Sequence, residues 1–279
     1  MPLASAVTIC LVDEARSGPF VFHCGAETGS DLATAVRTAA AAGFDGVEVF
    51  PPSAAEVAPG ELRALLSSHG LRLAAVGTGA GWVRHRLHLC HPDAAVRNSA
   101  REFIAAIVDL AGSCGAPAII GSMQGNSGPA VERDAALDHL AEALAVLSAR
   151  ARSHGQVLLY EPLNRYETNL FTRQGEAAAF LAARGLADVR LLCDLFHMNI
   201  EETDVAGALR QCGSRVGHVH FADSNRQAVG QGHTPMEPVV AALREIGYDG
   251  FLSAEVLPLP TPLDAARRTI DSFRRLVTG

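Results

Sequence analysis

No run of this 279-residue sequence stays apolar for long, whereas a membrane-spanning helix needs roughly 18 such residues. The opening MPLASAVTIC has neither a basic start nor an unbroken apolar stretch, so no secretory signal is expected. Aromatic residues are scarce at 5%, with a single tryptophan, as suits closely packed Ala-rich helices. Six cysteines (Cys10, Cys24, Cys90, Cys114, Cys193, Cys212) fall without CxxC spacing. They argue against a disulfide framework and against a cysteine zinc site. Reduced and mostly buried is the expectation, which places the chain in the cytoplasm. Basic side chains are in deficit, 23 against 30 acidic ones, for a net charge of −7. A protein that grips a phosphate backbone usually carries the opposite sign, so neither nucleic acid nor a membrane is expected as a partner. With 48% hydrophobic and 19% charged residues, disorder is excluded as the main description. No linker, low-complexity tract or charge block divides the chain, so residues 1–279 are expected to form one domain.

What is present is a recurring cycle. A polar, Ala-rich segment of helical length ends at Gly43, Gly70, Gly115, Gly155, Gly185, Gly213 or Gly247. Glycine there supplies a left-handed helix end at no steric cost. A short aliphatic run follows each: GVEVF, LRLAAVG, PAIIGSM, QVLLYE, VRLLCD, VGHVHF and FLSAEV. Together with VTICLV at 7–12 they make eight runs. Continuous apolar runs suit strands covered on both faces, as in a parallel sheet. Between them, Phe103, Ile104, Ile107 and Leu110 form one helical stripe, and Leu137, Leu140, Leu144 and Leu147 another. Ser53 to Glu56 reads as a capping box, and Thr261-Pro262 as an N-cap followed by proline at the first helical position. Eight strands alternating with helices predict an α/β fold of the (β/α)8 TIM-barrel class. A doubly wound open sheet is the runner-up, weakened by the lack of a GxGxxG turn after the first strand.

Four of these runs deliver one acid or imidazole at their C-terminal ends: Glu161, Asp194, His220 and Glu255. Their separations of 33, 26 and 35 residues each match about one βα unit. On a barrel, successive strand ends face one mouth, so three carboxylates and an imidazole would converge. Bare anions that close repel one another, and a divalent cation removes the conflict. One nitrogen and three carboxylate groups without thiolate form a hard set. It suits Mn²⁺ or Mg²⁺, with Co²⁺ and Zn²⁺ as further alternatives. Taken singly, each residue reads better as a salt-bridge partner or helix cap; the shared position at four strand ends favours the metal.

The segments EPLNRYE, CDLFHMNIEE, HVHFADSNR and SAEV resemble the signature segments of the ketose 3-epimerases, typified by D-tagatose 3-epimerase. These belong to the xylose isomerase-like TIM-barrel superfamily. The resemblance is specific from Glu161 to Glu255, whereas the N-terminal half fits only as a fold pattern. It implies a sugar or polyol substrate and one divalent metal, usually Mn²⁺, held by Glu161, Asp194, His220 and Glu255. It also implies Glu161 and Glu255 as the acid/base pair, Glu167, His197 and Arg226 on substrate oxygens, and a homodimer or homotetramer. Departures at Cys193 and Leu195 change packing near the site but not ligation, and Pro235-Met236 weakens any substrate inference from its loop.

The expected chemistry is proton abstraction beside a carbonyl, with the cation stabilising an enediolate and a second carboxylate returning the proton. Return to the opposite face gives epimerisation, and return to the neighbouring carbon gives isomerisation. The competing readings are hydroxypyruvate isomerase, keto-inositol-type dehydratase, abasic-site endonuclease and non-catalytic sugar-binding protein. The endonuclease would need further metal ligands and a basic face, and a binder has no use for two bases around a cation. Other features carry less. His85, His88 and His91 read as a solvated or pocket-rim loop, and GTGAG at 77–81 as a Gly-rich turn with no GK[ST] after it. Trp82 could wall a sugar pocket. Gln124 and Asn126 offer neutral hydrogen-bonding groups. Glu48 either points into the barrel mouth or pairs with an arginine.

Overall fold

The computed structural model describes residues 3–278. Eight parallel strands form the staves of a barrel: β1 (Ala4–Cys10), β3 (Gly46–Phe50), β4 (Arg72–Gly77), β5 (Ala118–Ile120), β6 (Leu158–Tyr160), β7 (Val189–Asp194), β8 (Val216–His220) and β9 (Phe251–Ala254). Each pairs with the next, and β1 also pairs with β9 through Ala4–Phe251 and Val7–Ala254. That last pairing closes the sheet and excludes the open doubly wound alternative. A two-residue strand, β2 (Phe22–His23), hangs on β1 inside the long loop that follows it.

The helices cover the outside. Those of eight residues or more are α1 (Leu32–Ala42), α2 (Pro59–Ser68), α4 (Ala94–Ser113), α5 (Arg133–Ser153), α6 (Gln174–Ala183), α8 (Val205–Cys212), α9 (Met236–Glu245) and α10 (Pro262–Phe273). Two short helices, α3 (Ala80–His85) and α7 (Leu195–Glu201), sit directly after β4 and β7. The predicted stripes face inward: Ile104, Ile107 and Leu110 on α4 are buried, as are Leu140, Leu144 and Leu147 on α5. All seven cycle glycines have positive φ, including 92° at Gly43, whose N–H closes the end of α1. Thr261 caps α10, its Oγ1 accepting from the Asp264 N–H at 3.2 Å, with Pro262 at the first position. The capping box at Ser53 is corrected. Ser53 Oγ donates to Glu56 Oε1 at 3.1 Å across a 3-10 turn, and the helix proper starts at Pro59. Proline's fixed φ and missing N–H make Pro59 the better start. All six cysteines are free.

Alternation along each stave places successive side chains on opposite faces. Val47, Val49, Leu158, Tyr160, Leu191, Cys193, Val219 and Leu252 join the large core under the helices. The residues between them point to the barrel axis. Ala75, Ile119, Leu159 and Leu192 make a small apolar cluster there. On the opposite wall the inward positions are polar and buried: Thr8, Glu48, His218, His220 and Ser253. Asp194 is in register with His220, and His220 with Ser253, which sets their side chains on one wall.

Candidate active site

The four strand-end residues converge. Glu161, Asp194, His220 and Glu255 each offer one ligand atom, and these four atoms lie within 4.8 Å of one another. His220 Nδ1 is 3.3 Å from Asp194 Oδ2, 3.3 Å from Glu255 Oε2 and 3.7 Å from Glu161 Oε1. Asp194 divides its oxygens. Oδ1 accepts from the Phe196 N–H at 2.8 Å and the His197 N–H at 3.4 Å, capping α7, while Oδ2 faces the cluster. A cap of this kind contributes about 1 kcal/mol and holds the carboxylate in one rotamer. Glu161 is held through its backbone, its N–H donating to Ile120 O at 2.9 Å and its carbonyl accepting from Gln124 Nε2 at 3.0 Å.

Electrostatics set a conflict among these groups. Burial raises the Glu161 pKa well above 4.5, and Glu255 and Asp194 push the same way against His220 and Arg226. Burial works against the His220 cation, but Glu48, Glu255 and Asp194 outweigh it and raise that pKa well above 6.5. Asp194 would also rise on burial, yet Arg226, His197 and His220 hold it far below the usual carboxylate range. The cluster therefore retains protons that a divalent cation would replace. Three carboxylates, those of Glu161 and Asp194 buried and that of Glu255 partly exposed, and one imidazole nitrogen, all hard or borderline donors, fit such an ion.

The residues placed by resemblance lie around this cluster. His197 Nδ1 is 2.8 Å from Asn164 Nδ2 and 3.3 Å from the Asn164 backbone N, both donors. Nε2 faces the cavity 3.8 Å from Glu161 Oε1 and 3.7 Å from Asp194 Oδ2, and it also meets a donor, Arg226 Nη1, at 3.3 Å. Burial lowers the His197 pKa and keeps the ring neutral. Glu167 stands at the rim, its side chain 48% exposed, with Oε1 accepting from Asn164 Nδ2 at 2.9 Å. Arg226 lies deeper than a rim residue. Its Nη2 contacts Glu255 Oε2 and is 3.1 Å from Asp194 Oδ2, and its guanidinium stacks on Phe196 at 4.6 Å.

Arg226 takes a left-handed φ of 58°, a conformation costing about 1 kcal/mol for an ordinary residue. Asp223 sustains it by accepting N–H bonds from Ser224, Gly230, Gly232 and Thr234 at 2.7–3.0 Å.

A cavity of about 380 Å³ opens above the cluster. Phe20 from the loop after β1, Phe50, Trp82 and Leu163 supply its apolar wall, and Glu14, Glu48 and Glu167 add acidic groups. Trp82 thus does wall the pocket. Gln124 does not reach it as a free group, being engaged by Tyr160 OH at 2.7 Å, Gly121 O and Glu161 O. Asn126 is likewise engaged, its Oδ1 accepting from the Asn169 N–H at 2.9 Å. His85, His88 and His91 form no ligand cluster; His91 Nδ1 accepts from the Asp93 N–H at 3.0 Å. Glu48 points inward and pairs with two histidines, not an arginine. The chain has no lysine, so imine chemistry has no residue to carry it.

Asn164, Asp223 and Gly121 escaped the reading of the sequence. Asn164 lay within a quoted segment, three residues before Glu167, a spacing at which two side chains can meet. Asp223 likewise stands three residues before Arg226 in HVHFADSNR, and Gly121 lies within PAIIGSM with no charged neighbour to mark it.

This constellation at the C-terminal mouth of a parallel barrel defines a TIM barrel whose carboxylate–imidazole cluster could hold a metal ion. The Xylose isomerase-like TIM barrel family matches residues 36–276, and the chain belongs to that family. It is similar to L-ribulose 3-epimerase of Mesorhizobium japonicum, 31% identical over 231 residues covering 81% of this chain and 75% of the relative. It is also similar to D-psicose 3-epimerase of Enterocloster bolteae, 42% identical over 104 residues, 37% of this chain and 35% of the relative. Among solved structures, D-allulose 3-epimerase from Methylomonas sp. in complex with D-allulose superposes with a TM-score of 0.80 at 21% identity. That match covers 99% of this chain and 97% of the other. The chain is an enzyme of the isomerase class.

Proposed function

We propose that the chain, as one barrel domain, is a divalent-metal-dependent epimerase of an unphosphorylated ketose, inverting the carbon next to the carbonyl. The observation that carries the reading is the convergence of Glu161 and Glu255 with Asp194 and His220 around a common point. Glu161 follows β6 and Glu255 follows β9, so β7 and β8 separate the two staves that deliver them. Two carboxylates so placed can address the two faces of one carbon.

Glu161, Asp194, His220 and Glu255 would hold the ion; the hard donor set suits Mn²⁺ or Mg²⁺, and the family resemblance favours Mn²⁺. When bound, it supplies Lewis-acid polarisation of the carbonyl and the adjacent hydroxyl. One carboxylate of the Glu161–Glu255 pair takes the proton from the carbon, and its partner returns a proton to the opposite face. His197 donates a hydrogen bond to the oxygen on which charge develops, its ring oriented by Asn164 at Nδ1 and Arg226 at Nε2. Glu167 and Arg226 orient hydroxyl groups at the rim and beside Glu255. Phe20, Phe50 and Trp82 exclude water from the reacting carbon.

The absence of a phosphate on the substrate follows from charge. Arg226 is the one arginine lining the cavity among the described residues, and it already contacts Asp194 and Glu255. Five glutamates line the same space and would repel a phosphate. The two relatives named above, both sugar 3-epimerases, support the same substrate class. The test is a panel of free ketoses, sugar phosphates, hydroxypyruvate and an inosose, incubated with Mn²⁺-loaded enzyme in D₂O and read by NMR. Deuterium at the inverted carbon of a free ketose, with every hydroxyl retained, is the expected result. Loss of a hydroxyl, or turnover of phosphates alone, would refute it.

A further inference from the structure

Glu48 reaches into the barrel from the middle of β3 and is 5% exposed. Its two carboxylate oxygens are divided between two imidazoles. Oε1 is 3.1 Å from His220 Nε2, and Oε2 is 2.8 Å from His218 Nε2. His218 and His220 stand two apart on β8, so both rings face the axis. A carboxylate can only accept hydrogen bonds, so the ring nitrogens that meet Glu48 carry their protons. For His220 this leaves Nδ1 as the atom toward Asp194, Glu255 and Glu161.

We propose that Glu48 is a positioning residue that pins the proton of His220 on Nε2 and so aims the Nδ1 lone pair at the metal site. His218 holds the second Glu48 oxygen and keeps the carboxylate from turning. The inference rests on the reading of Glu161, Asp194, His220 and Glu255 as metal ligands. Carboxylates behind ligating imidazoles fix ring orientation and strengthen the ligand, and their loss weakens metal binding about 10- to 100-fold.

Glu48, His218 and His220 also satisfy the geometry of a small metal cluster of their own. Their contacts argue for hydrogen bonds. Both separations are ordinary hydrogen-bond lengths, and each Glu48 oxygen already has a donor. A cation there would occupy His220 Nε2 and turn an N–H toward the acidic cluster, spoiling the nitrogen ligand.

The experiment compares wild type, Glu48→Gln and His218→Gln. Mn²⁺ binding is followed by calorimetry, and the His220 ring by ¹⁵N-edited NMR without metal and with Mg²⁺. Wild type should bind one Mn²⁺ and show a downfield, slowly exchanging proton on His220 Nε2 in both states. Glu48→Gln should raise the Mn²⁺ Kd about 10- to 100-fold and abolish the slow exchange. His218→Gln should move both readouts the same way by less, and it carries the test if Glu48→Gln does not fold. An unchanged Kd in Glu48→Gln, or a wild-type His220 without a proton on Nε2, overturns the proposal. So does a second Mn²⁺ lost with Glu48. Failure of wild type to bind Mn²⁺ would overturn the metal reading instead, and the ring proton would still decide what Glu48 does.

Discussion

Gly121 lies directly against the Glu161 carboxylate: a methyl group built on Gly121 would overlap Glu161 Oε2. The absent side chain is what leaves Glu161 free to turn toward His220. Gly121→Ala should therefore push the carboxylate out of place while the barrel stays folded. Misplacement of about 1 Å at a reacting group costs about 10²-fold. We expect a fall of that order in kcat/KM with circular dichroism unchanged; full activity would show that Glu161 does not need this position.

Glu161→Gln and Glu255→Gln keep shape and remove the base. Each should lower kcat by about 10² to 10⁴. Melting temperatures of the two variants should stay close to wild type, since an amide fits the same space. Solvent deuterium uptake separates their roles. If the pair acts as two bases, neither variant should complete inversion, and undiminished turnover in Glu255→Gln would rule out the scheme.

Asn164→Ala tests the His197 tautomer. Without the amide, one of the two donors to Nδ1 disappears while Arg226 Nη1 still faces Nε2, so the proton is drawn toward Nδ1. The loss should fall on kcat, by up to about 10²-fold, as for removal of an oxyanion donor, with KM nearly unchanged. A change confined to KM would place His197 in ground-state binding.

The pH dependence of stability has a definite sign. The folded pKa values of Glu161 and His220 lie above their usual values of 4.5 and 6.5. A group so raised contributes fully below its unfolded pKa, and the contribution is lost as pH rises through the folded value. These two groups should make metal-free protein less stable toward alkaline pH, Glu161 from above about 4.5 and His220 from above about 6.5. A cation replaces both protons, so stabilisation by Mn²⁺ should grow from about pH 6 to about pH 9. Thermal scans with chelator and with Mn²⁺ measure the gap. A gap that is constant or narrows with pH would contradict these shifts. Dialysis against chelator should also abolish activity, and Mn²⁺ or Co²⁺ should restore it.

The barrel was legible because seven of its eight staves are short aliphatic runs preceded by a helix-ending glycine, and GVEVF and VRLLCD match β3 and β7 residue for residue. The two-residue β2 and the short α3 and α7 were not legible, since they are too brief for any periodicity to show. The four converging residues could be read because each stands where an apolar run stops. Glu48 was visible as a charge inside a strand, but its partners were not. They lie about 170 residues away on β8, and only closure of the sheet brings β3 and β8 face to face. Gly121 acts through packing, which leaves no pattern in composition or spacing, and Asp223 through backbone hydrogen bonds that its place three residues before Arg226 does not reveal.

Anomalous diffraction from a crystal soaked in Mn²⁺ measures the central claim most directly. The account predicts one strong peak per chain, in contact with carboxylate oxygens of Glu161, Asp194 and Glu255 and with His220 Nδ1. A peak bound elsewhere, or one that misses any of those four side chains, would contradict it.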